Sequence, residues 1–132
     1  LRIDHAYELE ALTMEPQIDQ LTDEGGEQAL ARPGLTVIDF WADWCAPCRM
    51  MAPQFERAAT LRPQHHFVKV DVDAAPGLAA RFEIRSIPTL AVLRDGAPVA
   101  MQAGVMSAEQ LVEALDRLDA GVPTGPGAGV AA

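Results

Sequence analysis

Leu35-Thr36-Val37-Ile38-Asp39-Phe40-Trp41-Ala42-Asp43-Trp44-Cys45-Ala46-Pro47-Cys48-Arg49 is the stretch on which the reading of this chain turns. Thr36, Val37, Ile38 and Phe40 make a short apolar, β-branched run with one charge inside it, Asp39. That is the pattern of a central strand covered on both faces. Cys45-Ala46-Pro47-Cys48 follows at once. Pro47 fixes φ and lacks an N–H that the first turn of a helix leaves unpaired anyway, so it marks a helix starting at the cysteines. Cys45 then sits at a helix N-terminus, where free backbone N–H groups and the positive end of the helix dipole favour a thiolate. The thiol pKa falls and the sulfur becomes a nucleophile near neutral pH. Cys48, three residues on, shares a face of that first turn and can close a small disulfide ring with Cys45.

The segment Phe40 to Arg49 resembles the active-site segment of the thioredoxin family. The resemblance continues along the chain, from about Gln17 to Leu118. Met51-Ala52-Pro53 matches the family's kinked second helix, Lys69-Val70-Asp71-Val72-Asp73 its third strand, and Arg85-Ser86-Ile87-Pro88-Thr89-Leu90 its cis-proline loop. Asp95-Gly96 and Gly104 fall where the family has its hairpin turn and a late glycine beside the active site. The closest subgroup by look is the second bacterial thioredoxin, whose members often carry an N-terminal zinc-binding segment with its own C-x-x-C pairs; this sequence holds none. Ala46 stands where the commonest members have glycine. The resemblance implies the thioredoxin fold, an α/β architecture with a central mixed β-sheet flanked by helices on both faces.

Composition narrows the function classes. A chain of 132 residues suits one domain with a single hydrophobic core. Its formal charge of -9, from 10 Lys+Arg against 19 Asp+Glu, argues against nucleic acid or an anionic membrane as partner, since both call for basic surface. Both of its 2 cysteines lie in the one C-x-x-C, so there is no structural disulfide framework of the secreted kind. Redox work in a reducing compartment fits, and a cytoplasmic location is expected. No apolar run approaches the ~20 residues needed to span a bilayer. A monomer is expected.

Three parts are expected: an N-terminal arm or short helix over 1–16, the thioredoxin domain over 17–120, and a disordered tail over 121–132. Asp4 to Met14 has apolar residues at helical spacing behind a capping-type Asp. Gln17 to Leu21 reads as an edge strand, and Asp23 to Ala31 as a helix weakened by Gly25 and Gly26. Pro47 to Leu61 is helical, with Pro53 expected to kink it. Phe67 to Val72 alternates, with Val68, Val70 and Val72 on one face and Phe67, Lys69 and Asp71 on the other. Pro76 to Phe82 is a short helix. Thr89 to Arg94 and Val99 to Gln102 are strands joined by a tight turn at Asp95-Gly96. Ser107 with Gln110 makes a capping box for a last helix that Gly121 and Pro123 stop. The tail beyond is Gly, Pro and Ala without charge. This order, βαβ and then αββα, itself implies a mixed sheet between helices.

Each candidate residue has a bland reading beside the chemical one. Cys45 and Cys48 as half of a zinc site would need two more ligands, and adjacent His65 and His66 lack the spacing for it. No metal is expected; His5, His65 and His66 are read as surface residues. Cys45 is the expected exposed attacker and Cys48 the more buried resolving thiol. Asp39 is either a structural charge with a partner or a proton acceptor beneath the disulfide, with burial raising its pKa toward the range of a general base. By resemblance, Trp41 packs beneath the dithiol, Lys69 lies near Asp39, and both join Ala46 and Pro47 in tuning the redox centre. Trp44, Ile87, Pro88, Gly104 and Val105 form the docking surface. The resemblance also implies a cis bond before Pro88, which would present the Ile87 backbone as an edge for an extended substrate strand.

What the resemblance implies is a dithiol/disulfide oxidoreductase that reduces disulfide-containing protein substrates and is recycled by a thioredoxin reductase, with no bound cofactor. Two other classes compete: an oxidase or isomerase on the same fold, and a binding module whose disulfide is incidental. Pro47 in the dipeptide and Ile87 before the cis proline look like the reducing members.

Overall fold

The computed structural model describes residues 15–121. The expected helix over Asp4 to Met14 and the tail from Val122 lie outside the described residues. Nine elements follow in order: β1 (Ile18–Leu21), α1 (Asp23–Leu30), β2 (Leu35–Trp41), α2 (Ala46–Leu61), β3 (His66–Asp71), α3 (Pro76–Arg81), β4 (Thr89–Arg94), β5 (Ala97–Ala103) and α4 (Ala108–Asp119). The five strands form one sheet in the order β1-β3-β2-β4-β5. β1 and β2 pair parallel to β3, while β2–β4 and β4–β5 are antiparallel. This is the mixed sheet that the element order implies.

β2 is central because its side chains are apolar on both faces. Every residue from Leu35 to Phe40 is buried. Its alternation divides the core in two. Val37 points to a cluster with Phe67, Leu90 and Val92 of the sheet, Met51 and Phe55 of α2, and Leu111 and Leu115 of α4. Ile38 and Phe40 point the other way, to Val68, Val70 and Leu93, closed over by Leu30 of α1 and Leu78 of α3. Each such fully buried side chain contributes about 1.5–3 kcal/mol of transfer free energy. On β3 the face shared by Phe67, Lys69 and Asp71 is mixed in burial. Phe67 is buried there, its ring meeting Phe55 edge-on at a centroid distance of 5.4 Å.

Local sequence explains the ends of the elements. Asp95 (φ 51) and Gly96 (φ 87) both adopt the left-handed conformation, as a two-residue hairpin of twisted strands needs. The Asp95 carboxylate also accepts the Gly34 N–H at 2.8 Å, tying the hairpin to the loop before β2. β5 runs longer than the expected Val99 to Gln102 because pairing with β4 continues to Ala97 and Ala103. α1 is broken near its start, where Glu24 (ψ 118) and Gly25 (φ 78) leave helical geometry. Asp23 is freed by that break to serve another helix: its carboxylate accepts the N–H of Gly77 at 2.9 Å and of Leu78 at 2.8 Å, capping α3. Gly77 admits this approach, since a Cβ there would lie 3.0 Å from the carboxylate. The capping box of Ser107 and Gln110 is formed at α4. Among the described residues no helix is long and apolar enough to cross a membrane.

Candidate active site

The chain leaves β2 at Trp41, turns through Ala42 to Trp44, and enters α2 directly from Cys45. Cys45 is the N-cap, with extended backbone (φ -96, ψ 105), and its Sγ accepts the backbone N–H of Cys48 at 3.2 Å. The two cysteines are joined as a disulfide, with Cα atoms 5.3 Å apart. Pro53 lies inside α2, so the Arg49 carbonyl loses the partner it would have in an unbroken ladder. Exposure does not separate the two sulfurs as the sequence reading expects. Cys45 is 4% exposed and Cys48 3%. The reason is the loop before β4, which folds over the disulfide and brings the Ile87 carbonyl within 3.7 Å of Cys45 Sγ. Ala42, Trp41, Val72 and Ile87 pack around the pair.

The expected docking residues are assembled around this point. The Ile87–Pro88 bond is cis. The Pro88 carbonyl accepts the N–H of Gly104 at 2.9 Å, which brings the end of β5 alongside the loop. Val105 follows at 43% exposure, and Trp44 stands on the other flank at 68%. Pro88 itself is buried and Ile87 half-buried, whereas Ala46 and Pro47 are exposed on the first turn of α2.

Asp39 is fully buried, and neither carboxylate oxygen has a hydrogen-bond partner among the described residues. Alternation places it on the face of Val37 and Trp41, the side that α2 covers. Burial pushes its pKa up from 3.8 to about 6, with the Lys69 ammonium pulling weakly the other way. Lys69 is its register partner on β3 and also sits over the Trp41 ring, 4.6 Å from the centroid. The Trp41 indole N–H is buried without a partner among the described residues. Two of the residues read as surface histidines are half-buried, His65 just before β3 and His66 at its start, with His66 Nε2 lying 2.9 Å from the Asp19 carboxylate of β1; His5 lies outside the described residues. Burial holds the His65 pKa below the usual value. Among the described residues no three His, Cys, Asp or Glu side chains gather as metal ligands would.

The family profile described as Thioredoxin matches residues 17–117. The chain belongs to the thioredoxin family. Among curated proteins it is similar to the thioredoxin of Staphylococcus aureus, 46% identical over 85 residues that span 64% of this chain and 82% of that protein. It is also 42% identical over 101 residues to the thioredoxin of Staphylococcus haemolyticus, spanning 76% and 96%. As a thioredoxin-family protein with an adjacent redox-active cysteine pair, it is an oxidoreductase, and the family implies interaction with disulfide-bearing substrates.

Some residues of this thioredoxin-family site escape sequence reasoning. The Trp44 indole N–H donates to the Asp73 carboxylate at 2.7 Å, across 29 residues of chain. Asp73 is held in turn by a turn in which the Asp71 carboxylate accepts its N–H at 2.9 Å. The Asp-Val-Asp run carries a local signal for that turn, since Asp side chains bond backbone two residues on. Nothing local signals its meeting with Trp44.

Proposed function

We propose that this thioredoxin-family protein reduces protein disulfides, with Cys45 attacking and Cys48 resolving, and is recycled by a thioredoxin reductase in a reducing, cytoplasmic setting. The observation that carries the reading is the Cys45 Sγ at the N-cap of α2, accepting the Cys48 N–H at 3.2 Å. A sulfur held there is stabilised as the thiolate by a backbone donor and by the helix dipole, and Cys48, inside the first turn, has no equivalent end-on donor. The asymmetry between the two thiols is therefore electrostatic. It does not depend on exposure.

The reaction balances within the dithiol and the substrate. Cys45 thiolate attacks one sulfur of the substrate disulfide; the S–S bond breaks and the departing thiolate takes a proton from water. Cys48 then loses its proton to Asp39, through a water or directly, and attacks Cys45 Sγ. The Cys45–substrate bond breaks, the second substrate thiolate leaves, and two electrons have passed from the dithiol to the substrate. Asp39 suits the acceptor role because its pKa of about 6 lies close to neutral pH and no structural partner occupies its oxygens. Trp44, Ile87, Pro88, Gly104 and Val105 provide the docking face, on which an extended substrate segment lies against the Ile87 backbone.

The test is trapping. Cys48→Ser leaves the attacking thiol without its resolver and is expected to accumulate covalent mixed disulfides with a protein substrate, seen as a mass shift lost on reduction. Cys45→Ser is expected to trap nothing. Equal trapping by the two variants would reverse the assignment.

A further inference from the structure

The segment Gly104–Ser107 joins β5 to α4 and carries the Val105 edge of the docking face. On one side the Gly104 N–H is held by Pro88. On its other side the donors turn toward α2. Met106 N–H points at Met51 Sδ at 3.3 Å, and Ala108 N–H, on a residue with no exposure, donates to Gln54 Oε1 at 2.7 Å. Cys48, Met51 and Gln54 stand three apart, in one row of α2. The row that begins with Cys48 thus meets the docking segment at Met106 and, through Gln54, the first residue of α4 immediately after it. Elsewhere the two helices are joined by their shared apolar core, by the exposed Arg57–Glu109 pair and by a bidentate Arg62–Asp116 pair at the far end, each pair at 2.7 Å. Neither pair reaches the Gly104–Ser107 segment itself. A half-buried amide on a buried N–H holds the chain where that segment ends, because without it the donor is left unpaired.

We propose that Gln54 is a positioning residue for protein substrates: it fixes the Gly104–Ser107 segment against α2 in the arrangement that presents Val105, and so favours large disulfide substrates over small ones. The inference rests on the docking face described above. Without the Gln54 acceptor, Ala108 N–H must turn toward water, and the segment spends less time in the docking arrangement. Apparent affinity then falls by the fraction of competent conformers lost. A small disulfide, which needs only the Cys45 sulfur, does not register the change.

The experiment compares Gln54→Leu, Gln54→Glu and Val105→Asp with the unaltered protein, using insulin as the protein disulfide and a small aromatic disulfide as the control. For Gln54→Leu the half-saturating insulin concentration should rise about fivefold, with limiting rate, redox potential and small-disulfide rate unchanged. Gln54→Glu keeps an acceptor, and a negative charge suits the start of α4, so it should stay within about twofold on every readout. Unchanged insulin saturation in Gln54→Leu overturns the inference, as does equal weakening by Leu and Glu, or a parallel fall in the small-disulfide rate. Val105→Asp separates the two levels. If it weakens insulin docking and Gln54→Leu does not, only the role of Gln54 fails; if Val105→Asp has no effect, the docking face fails and takes Gln54 with it.

Discussion

Two aspartates, Asp23 and Asp39, are treated in opposite ways by the fold. Asp23 caps α3 from a distance, and its carboxylate accepts two backbone N–H groups at 2.9 and 2.8 Å while remaining open to solvent. Asp39 lies on the face that α2 covers, is fully buried, and has no partner on either oxygen among the described residues. A carboxylate employed for structure is surrounded by donors, because that stabilises its charged form. One kept for proton transfer must be able to gain and lose a proton near working pH, which the absence of donors allows. The cost appears in stability, and the capping sulfur of Cys45 stands between the two cases, doing structural and chemical work with one atom.

The largest test of the contrast is Asp39→Ala. The folded pKa of about 6 exceeds the ordinary 3.8, so the folded state binds the proton more tightly than the unfolded chain. The stabilisation from this group is full below the ordinary value and disappears as pH rises through the folded one, leaving a deficit at neutral pH on the order of 3 kcal/mol at most. Denaturant melts should therefore show Asp39→Ala about 2 kcal/mol more stable than the unaltered protein at neutral pH, after allowance for the void left by the carboxyl. The gain should vanish toward about pH 4, and insulin reduction should slow. A variant that is less stable with unchanged turnover would put Asp39 in the same class as Asp23.

Asp23→Ala comes next. Loss of both α3 cap bonds should lower the unfolding free energy by about 1.5 kcal/mol, while turnover stays the same. Slower turnover would show that the capped end of α3 supports the site. The smallest effect is reserved for Cys45→Ser, whose hydroxyl can accept the Cys48 N–H in place of sulfur. Compared in the reduced state, its stability should lie within about 0.5 kcal/mol of the unaltered protein even though exchange is abolished. A loss above about 1 kcal/mol would mean that thiolate charge also holds the fold together.

Much of this was legible because it is local. The β2 run, the proline after Cys45, the Asp95-Gly96 turn and the Ser107–Gln110 box each announce themselves within a few residues, and each is formed. Even the raised pKa of Asp39 follows from one charge in an apolar strand. What sequence missed joins distant residues. Asp23 caps a helix 54 residues away, Trp44 finds Asp73, and Gln54 reaches Ala108. The exposure expected of Cys45 failed for the same reason, since the loop that covers it arrives 42 residues later. Alternation puts Phe67 on the side of Lys69 and Asp71 but does not report that Phe55 comes to cover it.

β5 ends the sheet with an outer edge that no described strand covers, and its seven residues, APVAMQA, carry no charge, whereas β1 at the opposite edge carries Asp19. Bare edges invite pairing between molecules, and here Pro98 and the irregular register between Val92 and Leu93 blunt one end only. For the remaining length, mutual repulsion is the safeguard, supplied by a net charge of -9 spread over the whole chain. That makes colloidal stability a property of the solution as much as of the strand: near the isoelectric point of 4.6 the repulsion disappears, and only the blunted end of the edge still resists pairing between crowded copies.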